Sequence, residues 1–229
     1  MAFDLFELHD STEDSNNRRL LRVYSVLSKF NAKAIPAQAE QAARINLFLK
    51  SVNKKLNKNI GFYWKEMWIQ SLGCSFAKGC YKDWFRGKTS IPLVAINNLR
   101  LFGFQEDIEE LIADCKFFCS TTGPVFNLPN ELNEDLAYLL GAILGDGHIC
   151  KQGYAVRFKV IEKSLAEKFR QKMSKVFFHE IRMKERTESG RQTQFCVDYG
   201  DKPIVRVFTK ILKVPVGKIQ HNSNPKNSF

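Results

Sequence analysis

One carboxylate in this 229-residue chain stands where helix electrostatics oppose it: Asp146, near the end of the stretch LAYLLGAILGDGHI, Leu136 to Ile149. Leu136, Leu139, Leu140, Ile143 and Leu144 recur at helical spacing, so the segment predicts an amphipathic helix. A second stripe, Ala137, Gly141 and Gly145, holds only small residues four apart. Each interior glycine costs a helix roughly 1 kcal/mol against alanine. The helix C-terminus carries the negative pole of the macrodipole, where an anion needs a compensating cation. Small residues let another helix backbone approach closely, and the partner is either a core helix of the same chain or a second copy of this one. In the second case two Asp146 carboxylates arrive side by side. Divalent cations relieve that repulsion, and Mg2+ prefers such oxygen ligands. A metal held there can activate water and neutralise charge on a phosphodiester.

The elements that must position Asp146 alternate between helix and hairpin. HICK and YAVRFKVI flank a Gln152–Gly153 turn, with Tyr154, Val156, Phe158 and Val160 facing one way and Arg157 and Lys159 the other. Ser164 with Glu167 reads as a capping box for a helix to about Phe177, its core face formed by Leu165, Phe169, Met173, Val176 and Phe177. A second hairpin points Ile181 and Met183 inward and Arg182, Lys184 and Arg186 outward. Its return strand places Phe195, Val197 and Tyr199 in the core with Gln192 and Gln194 opposite. Asp201 can cap a last helix bearing Ile204, Phe208 and Ile211. The expected order is α-β-β-α-β-β-α, with one apolar sheet face and one rich in Arg, Lys and Gln. Those side chains pair with guanine, phosphate and adenine edges.

A Ser/Thr/Gly/Pro/Asn cluster at residues 119–133 predicts a boundary between a domain over 1–125 and another over 131–229. The first reads as all-helical, with helices expected at 16–30, 36–56, 62–72, 76–86, 91–101 and 105–117. Within it, a helix to Leu72, a turn at Gly73 and a helix capped by Ser75 have the layout of a helix-turn-helix that shows Lys78, Lys82 and Arg86 outward. DWFRGKTSIP resembles the end of the recognition helix and following turn of small bacterial and archaeal helix-turn-helix domains.

Composition narrows the partners. Lys and Arg number 35 against 24 acids, a net charge of +11. The chain before residue 131 carries 17 basic and 13 acidic residues, and the remainder 18 and 11, so the surplus concentrates in the second domain. Such a balance points to a polyanionic partner, nucleic acid above all. No apolar run reaches the roughly 18 residues of a membrane span, and the acidic N-terminus has no secretion signal, so an intracellular protein without a membrane partner is expected. The six cysteines lack zinc spacing and read as reduced core thiols; only Cys115 and Cys119, one helical turn apart, are a candidate metal pair.

YLLGAILGDGHI resembles the signature of the LAGLIDADG homing endonucleases, and the α-β-β-α-β-β-α order after it is similar to that family over roughly residues 131–229. The resemblance implies an α+β fold whose antiparallel strands lie in the DNA major groove, preceded here by the all-α domain. It implies Mg2+-dependent cleavage of double-stranded DNA, with Gly141 as the helix-crossing glycine, Asp146 as the metal-binding catalytic acid with Gly145 beside it, and Gly147 closing the motif. Lys159 falls near a strand residue that holds the attacking water, and Lys202 resembles a lysine before the last helix that assists at the active site. Leu144 departs from the signature's usual first aspartate. Arg157, Lys159, Arg182, Lys184, Arg186, Gln192 and Gln194 are the expected DNA contacts of this domain. One motif implies a homodimer through Ala137, Gly141 and Gly145. LKVPVGKIQHNSNPKNSF also resembles the linker after the first repeat of two-motif members, where a second signature would follow. QHNS, ending at Ser223, looks like an intein splice junction, but no matching nucleophile block stands at the N-terminus. A non-catalytic DNA-binding regulator and an intron maturase binding RNA are the alternatives.

Overall fold

A computed structural model describes residues 3, 5–8, 21–27, 29, 31–56, 80–120, 124–150, 155–187 and 192–217. The chain divides into two compact units, residues 1–131 with 177–179, and residues 132–176 with 180–229. Both are mixed α+β, and each contains a four-stranded antiparallel sheet.

The sheet in the first unit corrects the all-helical expectation for 1–125. Helices α1 (Pro36–Lys55), α2 (Cys80–Phe85), α3 (Leu93–Asn97, continued by a 3-10 turn Asn98–Phe102) and α4 (Gln105–Ala113) share the unit with four strands. These are β1 (Arg22–Val23), β2 (Ile91–Pro92), β3 (Phe117–Cys119) and β4 (Val125–Asn127), in the order β2-β1-β3-β4. The helix expected at 16–30 contains β1, that at 91–101 opens with β2, and that at 105–117 ends before β3. Strands of two or three residues are too short to show an alternating pattern, and Ile91, Phe117, Phe118 and Cys119 are all buried, so no polar face marks them. Pro92, which has no N–H for a ladder, sits on an edge strand. The helix expected at 62–72, Gly73, Ser75 and Lys78 lie outside the described residues.

What joins these short strands to α1 is a side chain. Gln41, 4% exposed, donates from Nε2 to the carbonyls of Tyr24 (3.1 Å) and Phe117 (2.8 Å). Its Oε1 accepts from the N–H groups of Lys116 (2.8 Å) and Phe117 (2.9 Å). One amide thus bonds four main-chain groups at the end of the β1–β3 ladder, where the Phe117 carbonyl also accepts from the Tyr24 N–H at 3.0 Å. We predict that Gln41→Leu destabilises the first unit by about 3 kcal/mol, because the Tyr24 carbonyl and the Lys116 and Phe117 N–H groups lose this partner. Urea denaturation would check this, and a change below about 1 kcal/mol would mean that water replaces the amide.

The second unit runs α5 (Glu134–Gly145), β5 (Gly147–Ile149), β6 (Val156–Val160), α6 (Lys163–Phe177), β7 (Met183–Arg186), β8 (Gln194–Tyr199) and α7 (Lys202–Arg206), the last continued by a π-helical turn over Val207–Ile211. Its sheet has the order β5-β6-β8-β7. The element order is the one expected from hydrophobic periodicity. Helix α5 is capped by Asn133, whose Oδ1 accepts from the Leu136 N–H at 2.9 Å, and Glu134 and Asp135 complement the positive pole of its dipole. Leu136, Leu139 and Ile143 are its buried face. Phe158 of β6 stacks on Phe169 of α6, with centroids 4.4 Å apart. Asp135 pairs with Lys172 and Lys175 of α6, and these two ammonium groups hold its carboxyl below the usual range. Lys168 and Lys172 lie over the Tyr138 ring at 4.8 and 5.2 Å.

Two local expectations shift by a residue. Helix α6 begins at Lys163, so Ser164 is not its cap; the hydroxyl donates to Glu162, and Glu167 pairs with Arg170. Leu165, expected in the core, is exposed, while Ala166 is buried and continues the spacing through Phe169 and Met173.

Candidate functional site

Asp146 is the whole connection between α5 and β5. Its N–H still donates to the Ala142 carbonyl, at 3.1 Å, and its side chain is exposed. The next residue has no latitude. A Cβ on Gly147 would lie 2.8 Å from Ile143 Cα and 3.1 Å from the Arg157 carbonyl oxygen, both main chain and unable to give way. Gly147 therefore lets the first residue of β5 tuck against the last turn of its own helix.

Gly141 and Gly145 differ from it. Both are exposed, and a Cβ at either would meet nothing within 4 Å. Neither has a positive φ. Ala137 and Leu144 are exposed beside them. The stripe consequently presents an open, nearly flat helix surface that ends at the Asp146 carboxylate. Sequence spacing could not separate the glycine required inside the unit from the two that are not.

The β5–β6 ladder pairs Gly147 with Phe158 and Ile149 with Val156. Asp146 and Lys159 therefore continue the same end of the ladder, and the Lys159 side chain is exposed. Across the sheet, Lys159 pairs with Cys196, which pairs with Lys184 of β7; Gln194 pairs with Arg186. Lys159, Lys184 and Arg186 are exposed and Gln194 half-buried. Arg182 and Gln192 flank the strands and are exposed. The alternation thus brings Lys159, Lys184, Arg186 and Gln194 onto one polar face. Arg157 shares that face but is not free as the spacing suggested: its Nε donates to Asp198 Oδ1 at 2.8 Å. Asp198 escaped sequence reading because the two residues lie 41 apart and meet only through the β6–β8 register. In the first unit Lys82 and Arg86 are exposed, in the last turn of α2 and just after its end.

Lys202 lies beyond the strands, in α7. Residues of β8 run antiparallel to β6, so Tyr199 pairs with Val156, at the sheet end away from Gly147. Lys202 follows three residues later as the first residue of α7. This register, which no local pattern reveals, sets the end of β8 against Val156, while Gly147 pairs with Phe158 nearer the other end of β6. Cys115 and Cys119 do not share a helix face either, since Cys119 ends strand β3; burial raises the Cys115 thiol to about 12. Among the described residues no group of three His, Cys, Asp or Glu side chains gathers to hold a metal, and no helix is long and apolar enough to cross a membrane. No protein-family model matches the chain, and no curated protein matches it.

Asp201 occupies the N-cap position of α7 but makes no capping hydrogen bond, and its Oδ1 is buried without a partner among the described residues. Burial lifts its carboxyl to about 6. The folded form thus binds this proton more tightly than the unfolded chain, so the group's contribution favours folding as pH falls from about 6 to about 4 and disfavours it above. Asp135, held low by Lys172 and Lys175, acts with the opposite sign: its stabilisation is lost in acid. We predict that Asp201→Asn raises stability at pH 7.5 by about 1–3 kcal/mol and removes the difference by pH 4. Thermal melts of both proteins across pH 4–8 would check it; a lower melting point for the variant at pH 7.5 would mean that the carboxylate is paired.

Proposed function

We propose that this chain is a nucleic-acid-binding phosphodiesterase that works as a pair of copies joined through α5. More particularly, we propose a LAGLIDADG homing endonuclease that makes site-specific cuts in double-stranded DNA. The observation that carries this reading is the stripe Ala137, Gly141 and Gly145, open above both glycines and ending at the exposed Asp146. Within one copy these glycines weaken the helix, and among the described residues nothing lies within 4 Å of a Cβ built on either, whereas a second α5 crossing there gains the close approach that glycine allows. The α-β-β-α-β-β-α order of the second unit and its polar sheet face, beside Asp146, support the same reading.

The donor set suits a hard divalent cation. Asp146 offers an exposed carboxylate, and Gly145 a main-chain carbonyl in the last turn of the helix, where carbonyls lack intrahelical partners. One copy supplies only one such carboxylate, so the partner's Asp146 completes the set. Bound there, Mg2+ would supply a water nucleophile and charge neutralisation at a phosphodiester. Lys159, at the same end of the ladder, holds the scissile phosphate by charge. Arg157, Lys184, Arg186 and Gln194 grip the duplex from the sheet face, with Arg182 and Gln192 at its margins. Lys82 and Arg86 add contact from the first unit, which serves as an accessory DNA-binding module.

The test is cleavage, with Mg2+, of DNA from the coding locus with the insert removed. Wild type is expected to make discrete double-strand cuts. Asp146→Asn is expected to bind the same DNA without cutting it, and binding should fall steeply with added salt. Wild type that binds specific sites but never cuts would make the protein a regulator, and preferential binding of structured intron RNA would make it a maturase. Gly141→Ala separates the helix-pairing role from the fold. It should raise thermal stability of the single copy by about 1 kcal/mol while weakening self-association and cleavage. Unchanged self-association and cleavage would overturn pairing through α5.

A further inference from the structure

On the polar sheet face, Arg157 of β6 and Asp198 of β8 are direct cross-strand partners. Their side chains are 43% and 23% exposed, so the pair is open to an incoming ligand. A guanidinium presents two forks, one formed by Nε with an Nη and one by the two Nη groups at its tip. Asp198 takes Nε, and neither Nη has a hydrogen-bond partner among the described residues. The tip fork is therefore left available while Nε is tethered to Asp198.

Stability is a weak reason for this arrangement, since an ion pair this exposed contributes about 0–1 kcal/mol. Its surroundings suggest another. Among the described strand positions on this face, Asp198 is the only acid, set among Arg157, Lys159, Lys184 and Arg186. A bare carboxylate on a face that grips DNA repels phosphate. It is tolerated where it orients a base-reading cation, because guanine presents two acceptors, O6 and N7, that match a guanidinium fork of defined plane. Phosphate also accepts a guanidinium fork, but lysine serves it as a point charge, and the Asp198 carboxylate beside Arg157 opposes a phosphate there.

We infer that Arg157 reads a guanine in the major groove through its two Nη groups and that Asp198 is the positioning residue for that contact. The inference rests on the duplex-DNA reading above and adds a base preference to it. In a two-fold complex the guanine recurs in each half-site.

The experiment selects binding sites for the full-length protein from a randomised duplex pool in EDTA, so that nothing is cut. The enriched duplex is then titrated with each of the four bases at every position, using wild type, Arg157→Lys, Asp198→Ala and the double variant. Wild type should prefer guanine at one half-site position by roughly 5- to 150-fold. Both single variants should flatten that position and leave the others unchanged. The double variant should be no flatter than Arg157→Lys, because Asp198 acts through Arg157. Should Asp198→Ala melt early, Asp198→Asn, which keeps the shape and loses the charge, carries the comparison. An enriched site whose preferences survive both substitutions overturns the inference, as does an Asp198 effect that adds to that of Arg157→Lys. Failure to enrich any duplex sequence instead removes the DNA reading itself, and this inference with it.

Discussion

The second unit is organised around a main-chain contact that only glycine permits. At Gly147 the start of β5 lies so close to Ile143 and to the Arg157 carbonyl that no side chain fits. Helix α5 ends at Gly145 and β5 begins at Gly147, so Asp146 alone spans the change from helix to strand. A one-residue connection with no room to shift gives that carboxylate a defined place at the helix end and at one edge of the β5–β6 ladder. The helix dipole disfavours a negative charge at that end.

Around this junction α5 is anchored on one side and bare on the other. Leu136, Leu139 and Ile143 are buried, and Asp135 and Tyr138 tie its first turns to Lys172 of α6. The opposite side carries Ala137, Gly141 and Gly145 in open space. A helix secured along its core and stripped of bulk along its outer face suits a role as a rigid mating surface, which is the arrangement the proposed dimer requires. In the proposed dimer a cation would bridge the two Asp146 carboxylates and offset their charge.

The first unit solves a different problem. Its strands are too short for hydrogen-bonded ladders to hold them alone, and α1 supplies the missing partners through buried amides. Gln41 bridges the β1 and β3 segments, and Asn46 Nδ2 donates to the Ser25 carbonyl at 3.1 Å. Polar residues on the inner face of a helix thereby do the work that longer strands do elsewhere. A pattern reading that assigns Gln and Asn to the solvent side loses both the contact and the sheet.

Local order was legible in the amino-acid sequence wherever it depends on neighbours three, four or two residues away. The spacing of Leu136, Leu139 and Ile143 defined α5, and the alternation Arg182, Met183, Lys184 separated the two faces of β7. The outward face of Lys159, Lys184 and Arg186 followed from the same alternation. Tertiary structure alone decided which motif glycine is packed and which two are open, since that depends on the Arg157 carbonyl from the adjoining strand. It alone paired Arg157 with Asp198, because antiparallel register couples residues some forty positions apart. It also revealed strands of two and three residues, which are created by their partners and leave no periodicity of their own.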